Sequence, residues 1–270
     1  MTLILSACLF GAIVGSFLNV VASRIPARLA YDWAQAPDTP PADSGVRPPG
    51  IAWPGSRCPA CHHPIRIADN VPILSYLRLK GHCRDCHAAI SARYPITELL
   101  GAAVTVAVVL QFGVTASAAG LLIFTWWLLA LAVIDFETQL LPDSLTLSGL
   151  WLGLLLSLTP AALTSPALAI LSAAAGYSAL WLINAGYGRL RGRDGMGFGD
   201  FKLFAMIGAW TGPEGLITTA LLASLAALLV ALVGLITRRL EAGQAIPFGP
   251  YLALGGWLTA MTGGVLPVLG

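Results

Sequence analysis

Three aspartates border long apolar stretches of this chain, where carboxylates are costly and usually functional. Asp135 ends an apolar run, Asp143 follows Leu141 and Pro142, and Asp200 lies in a glycine-rich segment. Two carboxyls that face each other can share one proton, so that one acts as general base on a water and the other as general acid on a carbonyl. The sequence therefore predicts an aspartic peptidase pair that needs no metal, with a proton- or ion-coupled transporter as the alternative.

The segment before Asp200 contains three closely spaced glycines, Gly195, Gly197 and Gly199. We expect them to allow positive φ angles and the close approach of an extended substrate. The alternative role for the aspartates is helix N-capping or interfacial anchoring. That role suits Asp143, which stands at an expected helix start.

Four cysteines form two CxxC pairs, Cys58/Cys61 and Cys83/Cys86, separated by 21 residues. This pattern is typical of a tetrathiolate zinc site, and four thiolates leave no open coordination position, so the metal is expected to be structural. Redox CxxC chemistry and four unrelated thiols are the alternatives. Histidines flank both pairs, and we expect them to be solvated rather than ligands of the same or a second metal: His62, His63, His82 and His87.

The composition indicates whether the chain is a soluble protein or a membrane protein. Of 270 residues, 57% are hydrophobic and 10% are charged, whereas a soluble domain has about 25% charged residues. The mean hydropathy is +0.78. These values exclude an ordinary soluble protein, a disordered chain and a nucleic-acid binder. They predict a polytopic membrane protein whose partner is the lipid bilayer.

The apolar blocks divide into eight expected spans, at breaks marked by glycine and proline. The spans lie at 2–22, twice within 95–134, twice within 144–188, twice within 201–237, and from about 250 to 269. With the N-terminus outside, every Lys and Arg falls on the cytoplasmic side or, as for Lys202, one residue into a span. This agreement with the positive-inside rule predicts an all-α membrane protein of about eight transmembrane helices.

The sizeable polar segment, 23–94, lies between the first and second spans. Its proline-rich part, 37–54, is expected to be an irregular loop, and a segment this small needs a staple such as a metal ion. The expected organisation is a first transmembrane helix at 1–22, a small cytoplasmic zinc-bound domain at 23–94 and a seven-helix membrane peptidase domain at 95–270.

Motifs along the whole length resemble one family, the type IV prepilin peptidases, which are bifunctional leader peptidases and N-methyltransferases of bacterial pilus and type II secretion systems. The resemblance rests on Gly15-Ser-Phe-Leu-Asn-Val20, Arg24-Ile-Pro26, the two CxxC pairs, Gly81, Arg93-Tyr-Pro95 with Glu98, Ile134-Asp135, Leu141-Pro-Asp143 and Gly197-Phe-Gly-Asp200-Phe-Lys-Leu203.

The resemblance implies an activity and assigns roles to particular residues. The family cleaves prepilin-like precursors after a glycine at the cytoplasmic face of the bacterial inner membrane. It then methylates the new N-terminal residue with S-adenosylmethionine. The resemblance also implies that Asp135 and Asp200 are catalytic, in preference to Asp143, and that Gly81 serves methyl transfer. Prepilins or pseudopilins are the implied substrates. A peptidase without methyltransferase activity is the alternative, against which the intact cysteine segment argues.

Overall fold

The computed structural model describes residues 1–36, 45–192, 194–241, 244 and 246–263. These residues form helices and irregular segments, with two isolated β-bridges and no β-strand among them. The α-helices of this described part are α1 (Thr2–Ala34), α2 (Leu74–Arg78), α3 (Arg93–Phe112), α4 (Ala116–Thr138), α5 (Asp143–Leu156), α6 (Pro166–Arg191), α7 (Phe198–Ile236) and α8 (Gly249–Thr262). The expected all-α class is confirmed.

Five helices, α1, α3, α4, α6 and α7, are long and apolar enough to cross a membrane. The 39-residue α7 is interrupted at Gly212, whose φ of 76° and ψ of −175° are not helical. A Cβ on Gly208 would lie 3.1 Å from Leu216 Cδ2, although eight residues of straight helix extend for about 12 Å. The chain therefore folds back after Gly212. With this division, the eight expected apolar segments are all helical, α5 and α8 being shorter at 14 residues each.

Three expected segments either differ in extent from the helix that contains them or are only partly described. The helix that contains the span expected at 1–22 continues to Ala34, with Pro26 inside it. Within the proline-rich segment, residues 37–44 lie outside the described part, and 45–54 contain neither helix nor strand. The last seven residues, 264–270, also lie outside it, so the expected span from about 250 to 269 is described only to Gly263.

The chain forms two compact units, residues 1–110 and 111–270. In the first unit, α1 and α3 approach each other through glycines. A Cβ on Gly11 would lie 2.5 Å from Gly101 O, and one on Gly15 would lie 2.7 Å from Glu98 Cα. Small residues allow such close packing of membrane helices, where apolar side chains gain little from leaving lipid.

The first half of α7 is the core of the second unit. From Phe201 to Trp210 every residue except Lys202 is buried. The indole Nε1 of Trp210 donates to Gly149 O on α5 at 2.9 Å. Helix α8 packs against α7 through Gly256, where a Cβ would lie 3.1 Å from side-chain atoms of Ile207. Because this central segment starts beside Asp200, the surrounding helices fix the position of that residue.

Candidate active site and metal centre

Asp135 lies near the end of α4 and is almost fully buried, with 5% of its surface exposed. Its Oδ2 accepts a hydrogen bond of 2.9 Å from the backbone N–H of Gly249, at the start of α8. A Cβ on Gly249 would lie 2.6 Å from the same oxygen, so only glycine permits this approach. Gly249 is a site residue that the sequence analysis did not identify.

Asp200 lies in the first turn of α7 and is half-buried. Its Oδ2 lies beside Gly197, the N-cap residue, 3.7 Å from where a Cβ on that glycine would stand. The charge of Asp135 acts on the Asp200 carboxyl. The structure therefore brings Asp135 and Asp200 within electrostatic range of each other.

Asp143 has a different environment. It is the first residue of α5, and its Oδ1 forms an ion pair of 2.5 Å with Lys202 Nζ. Its side chain is 59% exposed. This ion pair joins the starts of α5 and α7. The N-cap residue of α5 is Pro142, so the expectation that Asp143 caps this helix is wrong.

The expectation of positive φ in the glycine-rich segment is wrong. Gly195, Gly197 and Gly199 do not have positive φ angles, and Gly197 has φ −74° and ψ 147°. The physical reason is that α7 starts at Phe198, so Gly197 takes the extended N-cap conformation. What Gly199 provides is space, because a Cβ there would lie 2.7 Å from Leu141 Cβ.

Gly199→Val should reduce cleavage by about tenfold or more, because overpacking against Leu141 costs about 1–3 kcal/mol and displaces the adjacent Asp200. The matched control is Gly197→Ala, whose new Cβ meets only Asp200 Oδ2 within 4 Å, at an ordinary 3.7 Å. Steady-state cleavage rates check this. A Gly199→Val enzyme as active as the Gly197→Ala enzyme would contradict the steric role.

Asn184 on α6 holds the loop that leads to Asp200. It is 7% exposed, and its Oδ1 accepts from the backbone N–H groups of Gly195 at 2.9 Å and Met196 at 3.1 Å. Its Nδ2 donates to Asp194 Oδ1 at 3.1 Å. One buried amide thus satisfies three polar groups of the loop. Sequence reasoning missed Asn184, although a single side-chain amide in the uncharged block 144–188 was the available signal.

Asn184→Ala should lower kcat for cleavage by about tenfold, since leaving buried polar groups unpaired costs about 1–3 kcal/mol. The Michaelis constant should change less, because Asn184 positions the loop rather than contacting substrate. Asn184→Asp keeps the acceptor for the two backbone N–H groups and should retain more activity than Asn184→Ala. Equal activity of Asn184→Ala and the unmodified protein would exclude the positioning role.

The four cysteines of the CxxC pairs meet in the first unit, with all Sγ atoms within 4.8 Å of one another. The Sγ atoms of Cys58 and Cys86 are 3.8 Å apart. A tetrahedral ion with bonds of about 2.3 Å to sulfur separates its ligands by about this distance. The donor set therefore fits a metal ion.

The two CxxC turns have the same backbone geometry. The N–H of Cys58 donates to His63 O at 3.0 Å, and that of Cys83 donates to Ala88 O at 2.8 Å. In the first turn, the backbone N–H groups of Cys61 and Ala60 lower the pKa of the Cys58 thiol to about 6, whereas, despite the backbone N–H of His63, desolvation and the neighbouring thiols raise the pKa of Cys61. Such donors favour the thiolate, which is the form that binds metals. The four neighbouring histidines are exposed, in agreement with the expectation that they are solvated.

An ion pair network ties the second CxxC turn to the preceding segment. Asp69 accepts from Arg84 Nε at 2.7 Å and Nη2 at 2.5 Å, and from Arg78 Nη2 at 2.6 Å. The hydrogen bonds and charge of Arg84, together with Arg78, hold the pKa of Asp69 below its usual range. The Asp69 side chain is 6% exposed, so its carboxylate is a buried group that links Arg84 of the second CxxC turn to Arg78.

Gly81 and Glu98 fix the rest of this segment. Gly81 has φ +73°, and a Cβ there would lie 3.1 Å from Tyr76 Oη, so another residue would be both strained and crowded. Glu98, only 8% exposed, accepts from the backbone N–H of Ile73 at 2.7 Å. Ile73 has φ 62° and ψ −52°, a rare conformation for a β-branched residue. The buried carboxylate therefore supports a strained turn.

Comparisons with known proteins agree with this division of the chain. A family model described as the Bacterial Peptidase A24 N-terminal domain matches residues 9–112, and one described as the Type IV leader peptidase family matches residues 122–232. The second range falls within the second compact unit, and the first ends two residues beyond the boundary of the first unit at Leu110. No solved structure matches the chain.

Curated relatives match over nearly the full length, and those cited here share the name "Prepilin leader peptidase/N-methyltransferase". The protein of Stutzerimonas stutzeri is 43% identical over 265 residues, covering 96% of this chain and 91% of the relative. That of Pseudomonas aeruginosa is 42% identical, with 96% and 90% covered, and that of Neisseria gonorrhoeae is 42% identical, with 93% and 88% covered. The aspartate pair and the four-cysteine cluster agree with these matches, and the chain belongs to the type IV leader peptidase family.

Proposed function

We propose that this protein cleaves the leader peptide of type IV prepilins or pseudopilins and then methylates the new N-terminal residue. The observation that carries the proposal is that Asp135 and Asp200 lie within electrostatic range of each other in a chain of the type IV leader peptidase family. The relatives' shared name supports both activities. Family membership argues against a transporter, and the complete cysteine cluster argues against a peptidase that lacks the second activity.

In the proposed cleavage step, the two carboxyls of Asp135 and Asp200 hold one proton between them. The ionised carboxyl takes a proton from water, whose oxygen attacks the carbonyl carbon, while the protonated carboxyl gives its proton to the carbonyl oxygen. When the intermediate collapses, the carboxyl that took the proton from water gives it to the leaving nitrogen, the other carboxyl recovers a proton from a hydroxyl of the intermediate, and the peptide bond breaks. The N–H of Gly249 holds Asp135 Oδ2 in place, so that carboxyl enters the reaction already oriented.

The cysteine cluster is proposed to hold one structural zinc ion, bound by Cys58, Cys61, Cys83 and Cys86. Four thiolates leave no position for a reacting group, so the ion maintains the segment in which Gly81 lies. S-adenosylmethionine, the proposed donor, supplies a methyl group carried on a sulfonium. The new N-terminal amine must lose its proton to accept that group. We assign methyl transfer to the 23–94 segment and cleavage to 95–270, with 1–22 as the first span.

The proposed location is the bacterial inner membrane, with the N-terminus outside and the cysteine cluster and aspartate pair on the cytoplasmic side. The apolar helices support membrane insertion. The concentration of Lys and Arg between Arg24 and Arg93 supports the orientation, because basic loops stay in the cytoplasm.

The test is to incubate the purified protein with a prepilin and labelled S-adenosylmethionine. Leader cleavage is measured by the change in substrate mass, and methyl transfer by label in the mature product. We expect both, with cleavage first. Label transfer without cleavage, or no reaction with any prepilin or pseudopilin from the same genome, would contradict the proposal.

A further inference from the structure

Four apolar side chains are exposed on the short segment between the two cysteine pairs. Ile67 is 93% exposed, Val71 43%, Leu74 63% and Leu77 64%. Leu74 and Leu77 are three residues apart on α2 and so share one face of the helix. We call these four residues the interfacial patch. Exposed apolar groups gathered in this way usually mark a surface that contacts lipid or another protein.

The hydrogen bond from Ile73 N–H to Glu98 fixes the position of the interfacial patch along the axis of α3. Glu98 is the sixth residue of that helix, about 7 Å along the axis from Arg93. On either side of Glu98, Ile96 and Leu99 are more than half exposed, as expected of side chains that face lipid. Because the N–H of Ile73 bonds to Glu98 at 2.7 Å, the patch lies level with the end of a membrane-spanning helix.

A basic cavity of about 400 Å³ follows the patch directly in sequence. It is lined by Cys83 of the four-cysteine cluster and by Arg78, Leu79, Lys80, His82, Arg84 and His87. Asp69 pairs with both Arg78 and Arg84, and the charge of Asp85 also acts on Arg84. The three cations Arg78, Lys80 and Arg84 therefore outnumber the two nearby carboxylates by one, beside apolar side chains.

We propose that this surface binds an anionic phospholipid of the cytoplasmic leaflet, with the headgroup phosphate in the basic cavity and an acyl chain against the interfacial patch. Apolar side chains bordered by cations fit the boundary between acyl chains and anionic headgroups. The proposal rests on the orientation given under the proposed function. Its consequence is that the lipid holds the cysteine cluster near the membrane surface, where a freshly cleaved N-terminus emerges.

The experiment places a photoreactive amino acid at Leu77 in the full-length protein, reconstituted in lipid nanodiscs. The matched control carries the same group at His63, which is exposed on the first CxxC turn. We expect lipid adducts at position 77 and only background at 63, with phosphatidylglycerol favoured over phosphatidylcholine in a mixed bilayer. Background labelling at both positions would overturn the proposal, as would adducts at 77 that shift from lipid to an added prepilin.

A charge variant tests the cavity separately. Lys80→Gln should reduce the preference for phosphatidylglycerol by about fivefold, because each basic residue near an anionic surface contributes about that factor. Arg57→Gln, which removes a cation outside the cavity lining, should leave the preference unchanged. If Lys80→Gln and Arg57→Gln showed the same preference for phosphatidylglycerol, the cavity assignment would be overturned. Cleavage and methylation are measured on the same samples, so loss of lipid adducts in an active enzyme refutes this inference alone.

Discussion

Asp135→Asn and Asp200→Asn should each reduce leader cleavage by about 100- to 10,000-fold, because each removes a titratable carboxyl from a step that needs both an acid and a base. Asparagine has nearly the same shape as aspartate, and the acceptor for Gly249 N–H can be retained at position 135. Both variants should therefore insert and purify normally. Single-turnover cleavage of a prepilin, with thermal unfolding of each variant, provides the measurement.

Asp143→Asn is the matched control for this pair. Its carboxylate is paired with Lys202 but largely exposed, and exposed ion pairs contribute about 0–1 kcal/mol. We expect cleavage to decrease by less than about tenfold. Near-normal cleavage by Asp135→Asn or by Asp200→Asn would refute the catalytic assignment, and a loss in Asp143→Asn as large as in the other two would extend the catalytic set to Asp143.

Cys83→Ser should abolish methyl transfer while leaving cleavage at least partly intact. The unmodified protein is expected to contain about one zinc per chain, and the variant should contain much less. Removing one thiolate leaves three ligands in a segment with little apolar core of its own. The aspartate pair lies on apolar helices in the other compact unit, and the proposed cleavage step needs no metal, so cleavage should persist. Metal analysis, label transfer and cleavage are measured on one preparation.

Cys8→Ser is the control for this variant. Cys8 is an exposed cysteine on α1 and does not belong to the four-cysteine cluster, so its loss should change neither zinc content nor either activity. Full methylation by Cys83→Ser, or a pure unmodified protein without zinc, would contradict the proposed role of the cluster. Complete loss of cleavage in a folded Cys83→Ser protein would show that this segment also docks the prepilin.

The chemistry-bearing residues could be found from the sequence because their types are unusual where they stand. Thiols repeated at CxxC spacing and carboxylates beside apolar runs are conspicuous in a chain with 10% charged residues. Spacing did not distinguish Asp135 from Asp143, and the family resemblance made that choice. In the structure, Asp135 is buried near Asp200, whereas Asp143 is exposed and paired with Lys202.

The residues that orient the site could not be found in this way, because their roles depend on contacts between distant parts of the chain. Gly249 bonds to a carboxylate 114 residues away, and no local pattern encodes that distance. Ile73 takes its rare conformation because Glu98 on another helix accepts its N–H. The error about the glycine-rich segment has a related cause. Glycine was read as a sign of unusual backbone angles, whereas Gly199 is needed to accommodate Leu141.

The break at Gly212 has a consequence for the bilayer around this enzyme. The half of α7 that starts at Phe198 and ends before Gly212, like α5 against it, is only about 20 Å long, whereas hydrocarbon is about 30 Å thick. The first half of α7 is buried among other helices, but α5 exposes Trp151 and Leu155, and a lipid-facing helix this short is accommodated by local thinning of the bilayer. Thinning brings bulk water closer to the carboxyl pair, and hydrolysis consumes water. Turnover should therefore decrease as lipid acyl chains lengthen, which makes membrane thickness a physical variable of this reaction.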